Sequence, residues 1–203
     1  MPVSTYAELQ TSVGSWLNRA DMTGQIPDFI RLFEARVNRI LRVPEMEVVS
    51  TFTATQESTA LPSDFLSLRE VRVAGKLLPS MNPQQLREAA RISGGTTIKG
   101  YSVVGTALLL APAPSEVGSV IKITYYQRLP ALSVSNTVNW LLTAHPDLYL
   151  FGTLTVASAY LKDDERTGIW KNAWDEALGE VMAAGIKARQ PATPLVMRSG
   201  VSE

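Results

Sequence analysis

The chain has 203 residues, 45% of them hydrophobic, which suffices for one domain of ordinary size or two small ones. Nineteen basic residues balance nineteen acidic ones, so no overall field draws the chain to DNA or to an anionic membrane surface. There is no cysteine and one histidine, which removes disulfides, thiolate zinc sites and cysteine nucleophiles and leaves a single imidazole for any triad.

The opening MPVSTYAELQ lacks the basic-then-apolar pattern of a signal peptide. Thr5 and Glu8 form a Thr-x-x-Glu capping box, in which each side chain satisfies a free N–H of the other's backbone. Leu9, Val13, Trp16, Leu17 and Ala20 follow at helical spacing and predict an apolar stripe for the core. DMTGQ breaks it. Pro27 suits the first turn of a second helix, where its missing N–H costs nothing. Phe29, Ile30, Phe33, Val37, Ile40 and Leu41 supply the second stripe, and Arg31, Glu34, Arg36 and Arg39 the polar remainder, with Pro44 as the stop.

From about 46 to 130 the texture is β-branched and aromatic, with Gly and Pro between runs. VRVAGKLLP reads as a hairpin around Ala74-Gly75-Lys76, and GYSVVGTALLLAP as a second turning near Gly105. One short helix interrupts them, with Asn82 as cap and Pro83 at its first position. After LPALSVSNTVNW the helical texture returns. Residues 146–161 are apolar nearly all round, with small residues at Gly152, Ala157, Ser158 and Ala159, as in a helix buried among close neighbours. Its most apolar part, LYLFGTLTVASAYL, is shorter than the roughly 20 residues that a membrane span needs, so a soluble protein made in a reducing cytoplasm is expected. A last helix carries Trp170, Trp174, Ala177, Leu178 and Val181 on one face, acids at its start and Lys187 and Arg189 at its end. Residues 190–203 have two prolines and no period, and read as an extended tail.

The expected fold class is therefore α+β. A helical bundle formed by residues 1–45 and 136–189 receives a β-rich insertion, 46–135, and ends in an extended arm, 190–203.

Candidates for chemistry are few. His145 stands before Pro146 and Asp147, a sequence that a helix start explains fully, and the serine elbow G-x-S-x-G is absent. Asp163, Asp164 and Glu165 suit the N-terminal end of a helix and form no calcium loop. Gly94-Gly95 and Gly75-Lys76 match no phosphate-binding fingerprint, so turn chemistry accounts for them. Trp16, Trp170 and Trp174 fall on apolar stripes and are assigned to core packing, whereas Trp140 or one of the adjacent Tyr125 and Tyr126 is free to serve an interface. Arg31, Arg36, Arg39 and Arg42 form the one local basic concentration: a solvated face first, a subunit interface or channel surface next, DNA contact third. No cofactor and no metal are expected, and no catalytic residue.

The ordered strings TYAELQTSVGSWLNR, IPDFIRLFEARVNRILRVPEME, LPSDFLSLREVRVAGKLL, TYYQRLPALS and NWLLTAHPDLYLFGTLTVASAYLKDDERTGIWKNAWDEAL resemble the head-to-tail adaptor (connector) proteins of tailed, podovirus-like phages. They cover most of residues 5–178 in the expected order, although none carries chemistry. The resemblance implies a structural virion protein, not an enzyme: one subunit of a ring, commonly dodecameric, between the portal and the tail. Such a homo-oligomer extends the DNA channel, meets the tail nozzle or tail tube, touches passing DNA only passively and binds no membrane. It also implies a helical core facing neighbouring subunits, a variable β-rich block, and a C-terminal arm on the portal. Pro194, Leu195, Val196, Met197 and Arg198 match that arm in position only. The alternative is a tail-associated module whose β-rich region docks a tail fibre or a glycan.

Overall fold

The computed structural model describes residues 3–93, 95, 97–114, 118–161 and 166–190. The chain is α+β and divides into two compact units: residues through Glu45 together with those from Leu129 onward, and Met46–Arg128 between them.

The first unit is helical: α1 (Tyr6–Leu17), α2 (Ile26–Ile40), α4 (Trp140–Ala144), α5 (Pro146–Leu161) and α6 (Thr167–Arg189). The capping box at Thr5 and Glu8 is formed, and Asn18, in the left-handed region at φ 54°, closes α1 by donating its N–H to the Gly14 carbonyl. α2 has Pro27 in its first turn, yet it ends at Ile40, short of Pro44. Leu41 is already extended there, and the Arg42 guanidinium binds the Asn38 carbonyl of the last turn at 2.9 Å. α4 has no counterpart in the sequence reading; the Asn139 side chain caps it by accepting the Leu142 N–H at 2.9 Å.

α5 lies against α1, α2, α4 and α6, which is why it is apolar on nearly every side. Gly152 is needed for this. A Cβ there would lie 2.0 Å from the Phe33 ring, so α2 rests directly on the α5 backbone, and Phe33 also packs against Tyr149 with ring centroids 4.9 Å apart. Trp170 and Trp174 are buried on α6, but Trp16 departs from expectation and is 48% exposed. It lies in the last turn of α1, where Phe151 meets it edge-on at 5.6 Å.

The second unit contains two antiparallel sheets and one helix. Strands β1 (Glu47–Ala54), β3 (Phe65–Val73), β4 (Lys76–Leu77) and β7 (Ser119–Gln127) form one sheet in the order β1-β7-β3-β4. Strands β2 (Ser58–Ala60), β5 (Gly100–Val104) and β6 (Ala107–Ala111) form the other, ordered β2-β6-β5, and α3 spans Pro83–Ser93. The β3–β4 turn is Ala74-Gly75 with φ of 48° and 79°, the left-handed pair that matches strand twist. Gly105, at φ 61°, turns β5 into β6. Asn82 and Gln85 cap α3 reciprocally. The unit has its own core, built from Val71, Tyr101, Leu108, Leu110, Ile121 and Ile123.

Candidate functional site

Three sets of polar groups in the described residues warrant a functional reading. The first is inside the helical unit. Glu34 belongs by type to the polar remainder of α2, but it is only 4% exposed. It lies on the same turn-by-turn row as Ile30, Phe33, Val37 and Leu41, so its position on the helix turns it inward. Its Oε1 accepts the Tyr149 hydroxyl at 2.6 Å and the Leu132 N–H at 2.8 Å. Asn139 extends the network, donating to the Tyr149 hydroxyl oxygen at 3.0 Å and to the Pro130 carbonyl at 2.9 Å. Burial raises the carboxyl of Glu34 above its ordinary value, partly offset by the bonds from Tyr149 and Leu132. Burial, with the adjacent carboxylate, likewise raises the phenol of Tyr149.

The effect of this network is positional. Residues 129–139 have no helix or strand of their own, yet Leu129 donates to the Asn38 side chain at 2.8 Å and the Thr137 carbonyl accepts the Tyr6 N–H at 2.8 Å. With Glu34 and Asn139, these bonds fasten the returning chain to α1, α2 and α5. The sequence signal for Glu34 was its spacing; nothing local marks Asn38 or Asn139 as its companions.

The second set is the arginine group, which the structure separates. Arg36 lies over the Trp174 ring, 3.9 Å from its centroid, and Arg42 binds the α2 carbonyls while its own carbonyl accepts from Arg189 at 3.0 Å. Arg31 and Arg39 are exposed, and Arg31 approaches Asp28 only at 3.9 Å. The four therefore do not form one patch: two are built into the helical unit and two face solvent.

The third set lies on the outer face of the four-stranded sheet. Thr51, Glu70, Arg72, Val120 and Lys122 line an open depression of about 540 Å³, where Arg72 pairs with Glu70 at 3.0 Å and holds that carboxyl below its usual range. Tyr125 is on the other face, 3% exposed, and its hydroxyl donates to Asp64 at 3.0 Å. Burial, then this bond, pushes the phenol up to about 12. Tyr126 is half-buried, as is Trp140 on α4.

His145 ends α4, its N–H donating to the Leu141 carbonyl at 2.8 Å, and its own carbonyl accepts the Tyr149 N–H at 3.3 Å in α5. Among the described residues no three His, Asp or Glu side chains gather as a metal ion requires, and no helix is long and apolar enough to cross a membrane. Asp163, Asp164, Glu165 and the proposed arm residues Pro194–Arg198 lie outside the described residues.

The described residues thus present exposed helix faces and an open sheet face on an α+β scaffold. The family model for the SU10 adaptor protein matches residues 4–198, and the chain belongs to that family of phage head-to-tail adaptors. No curated protein matches the chain. As an adaptor it is a structural protein of the phage particle, with portal and tail proteins as its general partners.

Proposed function

We propose that this chain is the repeating subunit of a dodecameric ring that docks beneath the portal, receives the tail nozzle or tail tube, and continues the DNA channel. The observation that carries the proposal is the family match, which runs through both units and into the C-terminal residues. In this reading the helical unit is a bundle that meets its neighbours in the ring, the β-rich unit faces outward or toward the tail, and Pro194–Arg198 belong to an arm that reaches the portal.

The physical character of the chain supports the reading. A ring subunit offers two different faces to its neighbours, a heterologous contact that closes by rotation. Zero formal net charge lets many copies sit together without mutual repulsion. A channel for DNA also works best with few phosphate-holding cations, since strong counterion-releasing contacts would retain the genome.

The test is light-scattering mass after size exclusion, on the protein alone and mixed with the portal from the same genome. About a dozen copies co-eluting with the portal is the expected result. Monomer in both samples, with no co-elution, rejects the ring. A second arm uses a chain ending at residue 189: it keeps its fold and loses portal attachment. Undiminished attachment rejects the arm.

A further inference from the structure

Two helix faces of the helical unit match in residue spacing and carry opposite charges at their ends, and among the described residues both stand exposed. On α2, Asp28, Leu32, Ala35 and Arg39 follow one another at spacings of four, three and four, all exposed, opposite the row that carries Phe33 and Val37 into the core. Leu32 stands out from this row, 58% exposed between two charged ends. On α6, the residues opposite Trp170, Trp174 and Val181 are Asn172, Glu176, Gly179, Ala183 and Ile186, again at alternating four- and three-residue spacing and again exposed. Around Gly179 a Cβ would meet nothing within 4 Å, so the middle of this face is a notch with Ile186, 58% exposed, beyond it.

Alternating spacings of three and four are those of helices that pack with side chains of one set between side chains of the other. Laid antiparallel, the two faces match in length: Asp28 to Arg39 spans eleven positions, and so does Glu176 to Lys187, the exposed cation that follows Ile186 at the end of the α6 row. That register sets Asp28 beside Lys187, Leu32 beside Ala183, Ala35 beside Glu180 at the edge of the Gly179 notch, and Arg39 beside Glu176. Both ends then pair opposite charges, and the apolar knob meets the small residues. The parallel alternative would put Asp28 beside Glu176 and Arg39 beside Lys187, repelling at both ends.

The geometry points to these rows as the two halves of one contact: the outer face of α2 on one copy docks antiparallel on the outer face of α6 on the next. The occupant of each face is thus a second copy of this chain. This rests on the ring reading above, and it supplies what that reading lacks, two different faces on one subunit. It also gives Arg39 a place distinct from Arg36 and Arg42, which the helical unit uses internally.

The absence of cysteine makes the test direct. Leu32→Cys combined with Ala183→Cys, in the full chain, is oxidised alone and with its portal, then run without reductant. A ladder of covalent multimers is expected, while each single variant stays monomeric. Leu32→Cys combined with Gly179→Cys detects the same docking slipped by one turn. Separately, Arg39→Glu weakens self-association roughly tenfold, as expected when exposed attraction becomes repulsion. Glu176→Arg does the same, and the double variant recovers it. A ring that forms without a ladder from either pair, and is indifferent to both reversals, overturns this docking and leaves the ring reading intact. Cross-linking of Leu32→Cys to itself also overturns it, since that contact would be isologous. Monomer under every condition removes both readings.

Discussion

Glu34 shows how one side chain can set the behaviour of a region. Its carboxyl is raised in the folded state above the ordinary 4.5, chiefly by burial. A raised acid favours the folded state below its unfolded value, and that contribution is lost as pH rises through the folded value. The urea midpoint of the wild type should therefore fall as pH climbs from about 4.5, and Glu34→Gln, which keeps an acceptor for Tyr149 and Leu132 but cannot ionise, should flatten that dependence. Glu34→Ala should instead lose about 1–3 kcal/mol at every pH, because it strands two buried donors. A flat wild-type profile would show that the carboxyl does not titrate in this range. Gly152 gives a second residue-scale expectation. Gly152→Ala should lose roughly 1–3 kcal/mol because its Cβ enters the Phe33 ring, whereas Gly179→Ala should gain up to about 1 kcal/mol in thermal unfolding of the monomer.

At the scale of elements, local chemistry was readable and partnership was not. The capping box at Thr5–Glu8, the Asn82 cap and the turns at Ala74-Gly75 and Gly105 formed where sequence placed them, because each is decided within a few residues. The pairing of β1 with β7 joins positions more than sixty residues apart, and no local pattern names that partner. The same is true of Glu34 with Tyr149 and of Gly152 with Phe33, where each residue type makes sense only once α2 lies on α5. Trp16 failed in the opposite way: its spacing fits the stripe, but it lies at the stripe's edge beside the buried Leu17, and spacing alone does not say how far around a helix the core extends. The candidate arginines were legible as a group and not as two pairs, since Arg36 is defined by a ring on a distant helix. Turn chemistry also yields a paired expectation. Both Ala74 and Gly75 are left-handed, so Ala74→Gly should stabilise and Gly75→Ala should destabilise, each by about 1 kcal/mol, in denaturant titrations.

At the scale of the whole molecule, the helical unit is discontinuous: α1 and α2 precede the strand unit, and the segment that fastens them follows it. This has a consequence for biogenesis. The inner row of α2 leaves the ribosome before a main partner exists, and Phe33 gains its seat on Gly152 and Tyr149 only once α5 is synthesised. Roughly a hundred residues separate the two helices, a delay on the order of ten seconds at ordinary translation speeds. The strand unit is complete before then, since its described strands all lie between Glu47 and Gln127, and it holds its own core. The nascent chain thus spends that interval as a finished β unit preceded by a helical segment whose apolar row still awaits its cover.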